Sequence, residues 1–405
     1  MKKKFSRRDF LKSAGVISGG MIVAVANLFR NPSAKGLSQS SLPGQFLPFV
    51  MRYEPTDEPS PPPTPPPAGN GGVVQVHAND AHNWNYNPAS SYYGNHVSQS
   101  AVDRMVDAGI KNLTGETTLA AAWGSLLPNY KSGQTVAIKV SFNNGNKPNE
   151  YNYSIDSVVE PVNAIIRGLA AAGVPLKNII IFDSQRPFRP EFLQKLTKGV
   201  VVEDYKSGRP FETGAEDIFF RPPGHSPIRG RISRVVVQAD YLINVPVLKR
   251  HGFAGISMGM KNHYGTFYEA ELVHDWTSIS TSGPWREDYS PITELNLNPH
   301  IANKTILVVG DAIFAAPHNS GSRSTPTAWT TFSGQSPKSL FFSTDPVAID
   351  VVMGDLLQLE LGSGLVKERA FRHLKLAEDA GLGIYERGNP WTNTYKRIKF
   401  RKLEV

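Results

Sequence analysis

Hydrophobic positions along the chain fall mostly into short continuous runs rather than an alternating pattern. Gly72–His77, Thr135–Phe142, Asn178–Asp183, Arg234–Gln238, Tyr241–Val245, Thr305–Asp311 and Ser339–Ser343 are brief, rich in β-branched residues and bounded by turn formers. That pattern marks strands buried on both faces. Between them the apolar spacing lengthens to that of a helix. Ser157–Ala172 carries a helical stripe and ends on Gly173. Asp345–Leu361 opens with Asp345 as N-cap and Pro346 at the first helical position, and Lys367–Ala380 closes on Gly381. Strands alternating with helices predict an α/β fold, a mixed or mostly parallel sheet with helices on both faces. The segment Thr266–Pro299 interrupts the rhythm. It is polar, aromatic and dotted with glycine and proline, as expected of a long excursion that covers a site.

The first seventy residues follow a different grammar. From Pro55 to Ala68 the chain reads PTDEPSPPPTPPPA, which favours extended polyproline II and cannot pack a core. The expected organisation is a signal peptide over residues 1–26, a Pro-rich linker over 27–69 and a single α/β domain over 70–405. Ser6-Arg-Arg-Asp-Phe-Leu-Lys12 resembles the twin-arginine export consensus, and a mildly apolar run, Ala14 to Ala26, follows it. As a helix that run would rise about 20 Å, short of a hydrocarbon core about 30 Å thick. Ala24-Val25-Ala26 offers the small residues a signal peptidase needs. The expected partner is the twin-arginine translocase, the expected location periplasmic or extracellular, with no stable membrane span after cleavage.

Charge then narrows the field. The formal net charge of +8 looks like that of a nucleic-acid binder until it is located. Six basic residues and one acid within residues 1–26 account for five of those charges, leaving three on the remainder. Nucleic-acid binding needs a clustered basic face, and the sequence offers none. The chain has no cysteine, which rules out a disulfide, a thiolate nucleophile and a cysteine-ligated iron–sulfur cluster held by this chain.

Candidate chemistry gathers where strands end. The runs deliver Asp183, Asp311 and Asn143, and Tyr241–Val245 leads on to Lys249 and His251. Ligands of open α/β sheets sit beyond the carboxyl ends of strands. Asp is also a common turn former there, so each position has an ordinary structural explanation. Asp350 lies within a helix that is apolar nearly all round, so its carboxylate needs a cation, a metal or a proton. The stretch His251–Gly265 places Gly255 and Gly259 four apart, which on a helix gives one bare face, with Lys261 and Asn262 after it. A lysine with little carboxylate company suits an anionic ligand. His251 and His263 are weak candidates for metal.

These residues carry a resemblance. Val136–Val140, Ala239–His251, Gly255–Gly265 and Ser343-Thr-Asp-Pro-Val-Ala-Ile-Asp350, in this order and spacing, resemble the prokaryotic family called domain of unknown function 362. The resemblance covers roughly residues 77–381 and sets Lys139, Lys249, His251, Lys261, Asn262, Asp345 and Asp350 at the family's characteristic positions. Many similar proteins carry ferredoxin-like cysteine clusters, which this chain lacks. The expectation is an enzyme acting on an anionic small molecule. Lys249, Lys261 and His251 would be catalytic, and Lys139, Asn143, Asn262 and Asp183 would bind the ligand. A divalent metal on Asp311, Asp345 and Asp350 would neutralise the carboxylates. The alternatives are a non-catalytic ligand-binding or cofactor-maturation protein using the same pocket, and a module whose lysines and aspartates pair in its core.

Overall fold

The computed structural model describes residues 70–143, 153–206, 208–280, 284–318, 324–362 and 368–405. They fall in one compact unit, Pro61–Val405. The expected signal peptide and linker lie outside the described residues.

Thirteen strands are described: β1 (Gly72–His77), β2 (Val136–Lys139), β3 (Ile179–Asp183), β4 (Val201–Asp204), β5 (Glu216–Phe220), β6 (Ile228–Ile232), β7 (Tyr241–Asn244), β8 (Val247–His251), β9 (Gly255–Ser257), β10 (Phe267–Tyr268), β11 (Thr305–Ala316), β12 (Ser339–Ser343) and β13 (Lys399–Glu404). The main sheet runs β13-β1-β12-β11-β7-β2-β3-β4, with β8 added on β11 and β9 on β8. Pairing is parallel from β11 through β7, β2 and β3 to β4, between β1 and β13, and between β11 and β8. It is antiparallel where β12 meets β1 and β11, and where β9 meets β8. A separate three-stranded antiparallel sheet, β10-β6-β5, holds part of the Thr266–Pro299 excursion. The α/β expectation is therefore met: the sheet is mixed and mostly parallel.

The continuous apolar runs exist because two cores sandwich the sheet. Successive residues of a strand point to opposite faces. Val73, Ala137, Leu242, Val308 and Phe341 join one core, together with the helix Pro346–Leu361. Their neighbours Val74, Val136, Ile243, Val309 and Phe342 join the other, under the helices Gln99–Thr114 and Val159–Ala171. A strand with a polar alternate residue would leave one core open.

Three local expectations need correction. Arg234–Gln238 is a helix, not a strand: Ser233 caps it, its Oγ accepting from the Val235 amide at 3.3 Å. The hydroxyl cap and packing of Val235 and Val236 override the β preference of three successive valines. Gly255 and Gly259 do not share a helix face. Gly255 has φ +80°, a conformation that ends any helix, and it opens β9, while Gly259 begins the short helix Gly259–Asn262. The helix expected over Lys367–Ala380 is Arg372–Asp379, preceded by a 3-10 turn over Glu368–Phe371.

Candidate functional site

Parallel strands bring β2, β3 and β8 to one end of the sheet, and their last residues are polar. A cavity of ≈ 290 Å³ opens there. Lys139 ends β2, Asp183 ends β3, and Lys249 and His251 come from β8. The helix Gly259–Asn262 adds Lys261 and Asn262 from across the cavity. The excursion contributes Glu271 and His274 to the wall, and Tyr264 joins them from the turn His263–Thr266 just before it. Seven of the ten positions singled out in the sequence line this one space. The lining has four cationic side chains, those of Lys139, Arg186, Lys249 and Lys261, and two carboxylates, Asp183 and Glu271.

One end of the cavity is a closed network. Lys139 Nζ donates to Asp183 Oδ2 at 3.0 Å, to the Val140 carbonyl at 2.6 Å and to Asn262 Oδ1 at 3.4 Å. Both members of the ion pair are fully removed from water. Burial lowers the lysine's pKa and the carboxylate opposes that. Asp183 also accepts from the amides of Phe142, Gln185 and Arg186, at 3.0–3.2 Å. Asn262 donates to Asn244 Oδ1 at 2.7 Å, and Asn244 donates to the Gly259 carbonyl at 2.7 Å and to His263 Nε2 at 3.2 Å. The pairing fixes the two asparagine orientations, because each amide has a distinct donor and acceptor to satisfy.

The other end has cations without counter-charge. Lys249 is 3% and Lys261 6% exposed. Among the described residues neither makes a hydrogen bond or an ion pair, and the contact of Lys261 Nζ is with the Tyr264 ring, 4.3 Å from its centroid. Burial pushes Lys249 down to about 8, against the attraction of Asp156 and Asp183. It pushes Lys261 down to about 7, and the charge of Lys249 acts in the same direction. His251 Nδ1 accepts from the Phe253 and Ala254 amides, both at 3.1 Å. That leaves the ring's proton on Nε2. Burial holds its pKa well below the ordinary value, and the charges of Lys261, His274 and Lys249 add to that. Asn143 lines the cavity too, its amide donating to Asp156 Oδ1 at 2.7 Å.

The three carboxylates proposed for a metal are elsewhere and are occupied singly. Asp350 Oδ1 accepts from the Gly259 amide at 2.7 Å and Oδ2 from the Met260 amide at 2.8 Å. It caps the helix that carries Lys261, which is the partner the apolar surroundings demanded. A Cβ on Gly259 would stand 2.8 Å from Oδ1, so only glycine permits this approach. Asp345 caps its own helix through the Val347 and Ala348 amides and binds the Gly71 and Ile384 amides as well. Asp311 accepts from the Ile313 amide at 3.1 Å. Burial raises Asp311 and Asp350 to about 7, against those amides. Neither Asp311 nor Asp350 lines the cavity with Lys249 and Lys261, and amides of the chain's own backbone satisfy both carboxylates. Among the described residues no three His, Asp or Glu side chains gather as a metal ion would need.

Sequence reasoning missed Arg186, Tyr264 and His274 in the cavity wall. It also missed the ion pair beside the cavity, Arg189 to Asp156 at 2.7 Å with neither side chain exposed. The excursion was the usable signal for His274, since it flags a wall without naming its residues, and Tyr264 lies in the stretch His251–Gly265 beside Lys261 and Asn262.

Fold and site together describe a mixed α/β protein with a cation-lined cavity at the carboxyl ends of its parallel strands. The chain belongs to the family described as Domain of unknown function (DUF362), which matches residues 136–355. All ten sequence-selected positions lie in that span. No curated protein matches the chain. Among solved structures, it is similar to a Thermotoga maritima protein determined by a structural genomics consortium. The identity is 10% and the TM-score 0.35, over 65% of this chain and 58% of that one. The chain thus spans a little over half the length of that protein.

Proposed function

We propose that this protein is exported by the twin-arginine route and that its cavity takes up an anionic small molecule on which it acts as an enzyme. One observation carries the second part: Lys249 and Lys261 are buried in the same cavity without an internal carboxylate partner. A buried ammonium needs a counter-charge or loses its proton. Lys139 meets that need inside the protein, whereas an anionic ligand would meet it for Lys249 and Lys261. Arg186 strengthens the preference for an anion, and Asn262 and Asn143 offer directional hydrogen bonds. Acid–base work falls to the lysines, whose lowered pKa values lie near the working pH.

Differential scanning fluorimetry of the full chain with inorganic phosphate, sulfate and short carboxylates tests the uptake. A concentration-dependent rise in Tm, lost in Lys249→Met and Lys261→Met, is expected. No rise with any anion, in a protein that both substitutions strongly destabilise, would assign the lysines to structure instead. Binding without conversion of any bound anion would move the protein to the ligand-binding class. For export, Arg7→Lys with Arg8→Lys keeps the charge but loses the paired guanidinium groups. Retention of that variant in the cytoplasm is expected, and its normal export would end the claim.

A further inference from the structure

We infer that Lys261 is an amine nucleophile, and that the anion this cavity takes carries a carbonyl group beside its charge, as a 2-oxo acid does. This inference rests on the anion-binding reading above and deepens it. Three observations point to it. Lys261 and Lys249 line one cavity, among the described residues neither is ion-paired to a carboxylate, and Lys261 rests against the Tyr264 ring. Lysine becomes nucleophilic where it is desolvated or set beside another cation. Here both conditions hold at one side chain, so Lys261 reaches neutral pH with much of its amine unprotonated.

The carboxylates in view do not undo this. Asp183 is engaged by Lys139 and three backbone amides. Glu271 is exposed to solvent, where its charge is screened. His251 and His274 add no negative charge, and burial keeps both below their ordinary pKa values. The division of labour follows. Lys249, the more basic of the two lysines, holds the anionic group. His251, with its proton fixed on Nε2 by two backbone amides, offers a hydrogen-bond donor to a carbonyl oxygen.

The chemistry is a condensation. The Lys261 Nζ lone pair adds to the carbonyl carbon, and the carbonyl π pair moves onto oxygen. A proton passes from the new ammonium to that oxygen, with Lys249 as relay, to give a carbinolamine. The C–O bond then breaks, the oxygen leaves as water with a second proton from nitrogen, and a C=N bond forms. One carbonyl and one primary amine yield one imine and one water, so no oxidant or reductant is needed.

The test treats the full chain with glyoxylate and sodium cyanoborohydride near neutral pH, followed by peptide mapping. The reduced adduct is expected on the peptide holding Lys261, on the order of tenfold above any other lysine. Lys261→Arg, which keeps the cation, should lose that adduct alone. Glycolate, which has no carbonyl, should protect Lys261 and raise the Tm without leaving an adduct. Adducts spread evenly over surface lysines, or none on Lys261 while glycolate still raises the Tm, would overturn the nucleophile and leave the anion site standing. If neither glyoxylate nor glycolate raises the Tm and no adduct forms, both readings fall together.

Discussion

Asp350 and Lys261 meet at the short helix Gly259–Asn262: Asp350 caps its amino end from the helix Pro346–Leu361, Lys261 stands on it, and both are removed from water. Asp350 is satisfied completely by the chain, through two amides at 2.7 and 2.8 Å. Lys261 is not, and the difference extends through the molecule. The buried carboxylates Asp183, Asp345 and Asp350 each take two or more backbone amides. An acid can use amides because they are donors, and a strand end or helix start supplies several at once. A lysine needs acceptors, and an amino end has none free. Lys139 escapes this limit by reaching a carbonyl and Asp183. Lys249 and Lys261 reach neither. Buried charge that the backbone can serve is structural here, and the charge it cannot serve faces the cavity.

The strongest way to break this contrast is to make one substitution on both sides of it. Lys139→Met leaves Asp183 buried without its cation, and should cost about 3–5 kcal/mol. Lys261→Met leaves nothing unpaired and should change stability at pH 7 little, or raise it. Urea unfolding read as a change in midpoint at constant slope measures both. Equal losses would remove the distinction between the two lysines.

The pH dependence sharpens it. Lys261 has a folded pKa of about 7, below the ordinary lysine value of 10.5. Between those values the unfolded chain binds more protons than the folded one, so stability rises with pH across that window. Below pH 7 both forms are protonated and the contribution is flat. From pH 7 to pH 10 the wild type should gain roughly 3–4 kcal/mol relative to Lys261→Met. A saturating anion should flatten the slope, because it restores the charged form. Parallel pH curves for the two proteins would count against an uncompensated ammonium.

The carboxylate side should respond in the opposite sense. Asp345→Ala removes the cap from the helix Pro346–Leu361 and frees the amides of Gly71 and Ile384, for a loss of about 2 kcal/mol. Anion binding, read by the same Tm titration, should be unchanged once the stability difference is subtracted. A large effect on anion affinity would draw Asp345 into the site after all.

These contrasts also mark what the sequence could show. The strand runs and the helix starting at Asp345 were legible because each is set by a local pattern: apolar continuity, a cap and a proline. The cavity's lysines were legible because the family motif marks Lys139, Lys249 and Lys261, the first two on strands and the third on the short helix Gly259–Asn262. The partner of Asp350 was not, since it is a pair of amides 90 and 91 positions away with no side-chain signature. Reasoning from side chains alone reached for a metal where the backbone had already supplied donors. Gly255 misled for a related reason. Its spacing from Gly259 fits a helix face, but the glycine is there for its positive φ, which only the fold reveals.

The smallest effect tests the packing that keeps Lys139 in its pair. A Cβ on Gly265 would stand 2.5 Å from Lys139 Nζ and 2.9 Å from its Cε, closer than side chains approach. The lysine has little room to yield, because Asp183 and the Val140 carbonyl hold its nitrogen from the other side. Gly265→Ala should therefore cost about 1 kcal/mol, as modest overpacking does. Gly124 is the control: it lies in the helix Leu119–Ser125 with nothing within 4 Å of its would-be Cβ. There the same change should stabilise by up to about 1 kcal/mol through helix propensity alone. Opposite signs at the two glycines, measured by urea unfolding, would separate close packing on the Lys139–Asp183 pair from the general effect of removing a glycine. A stabilising Gly265→Ala would mean that the pair is not held as tightly as its distances imply.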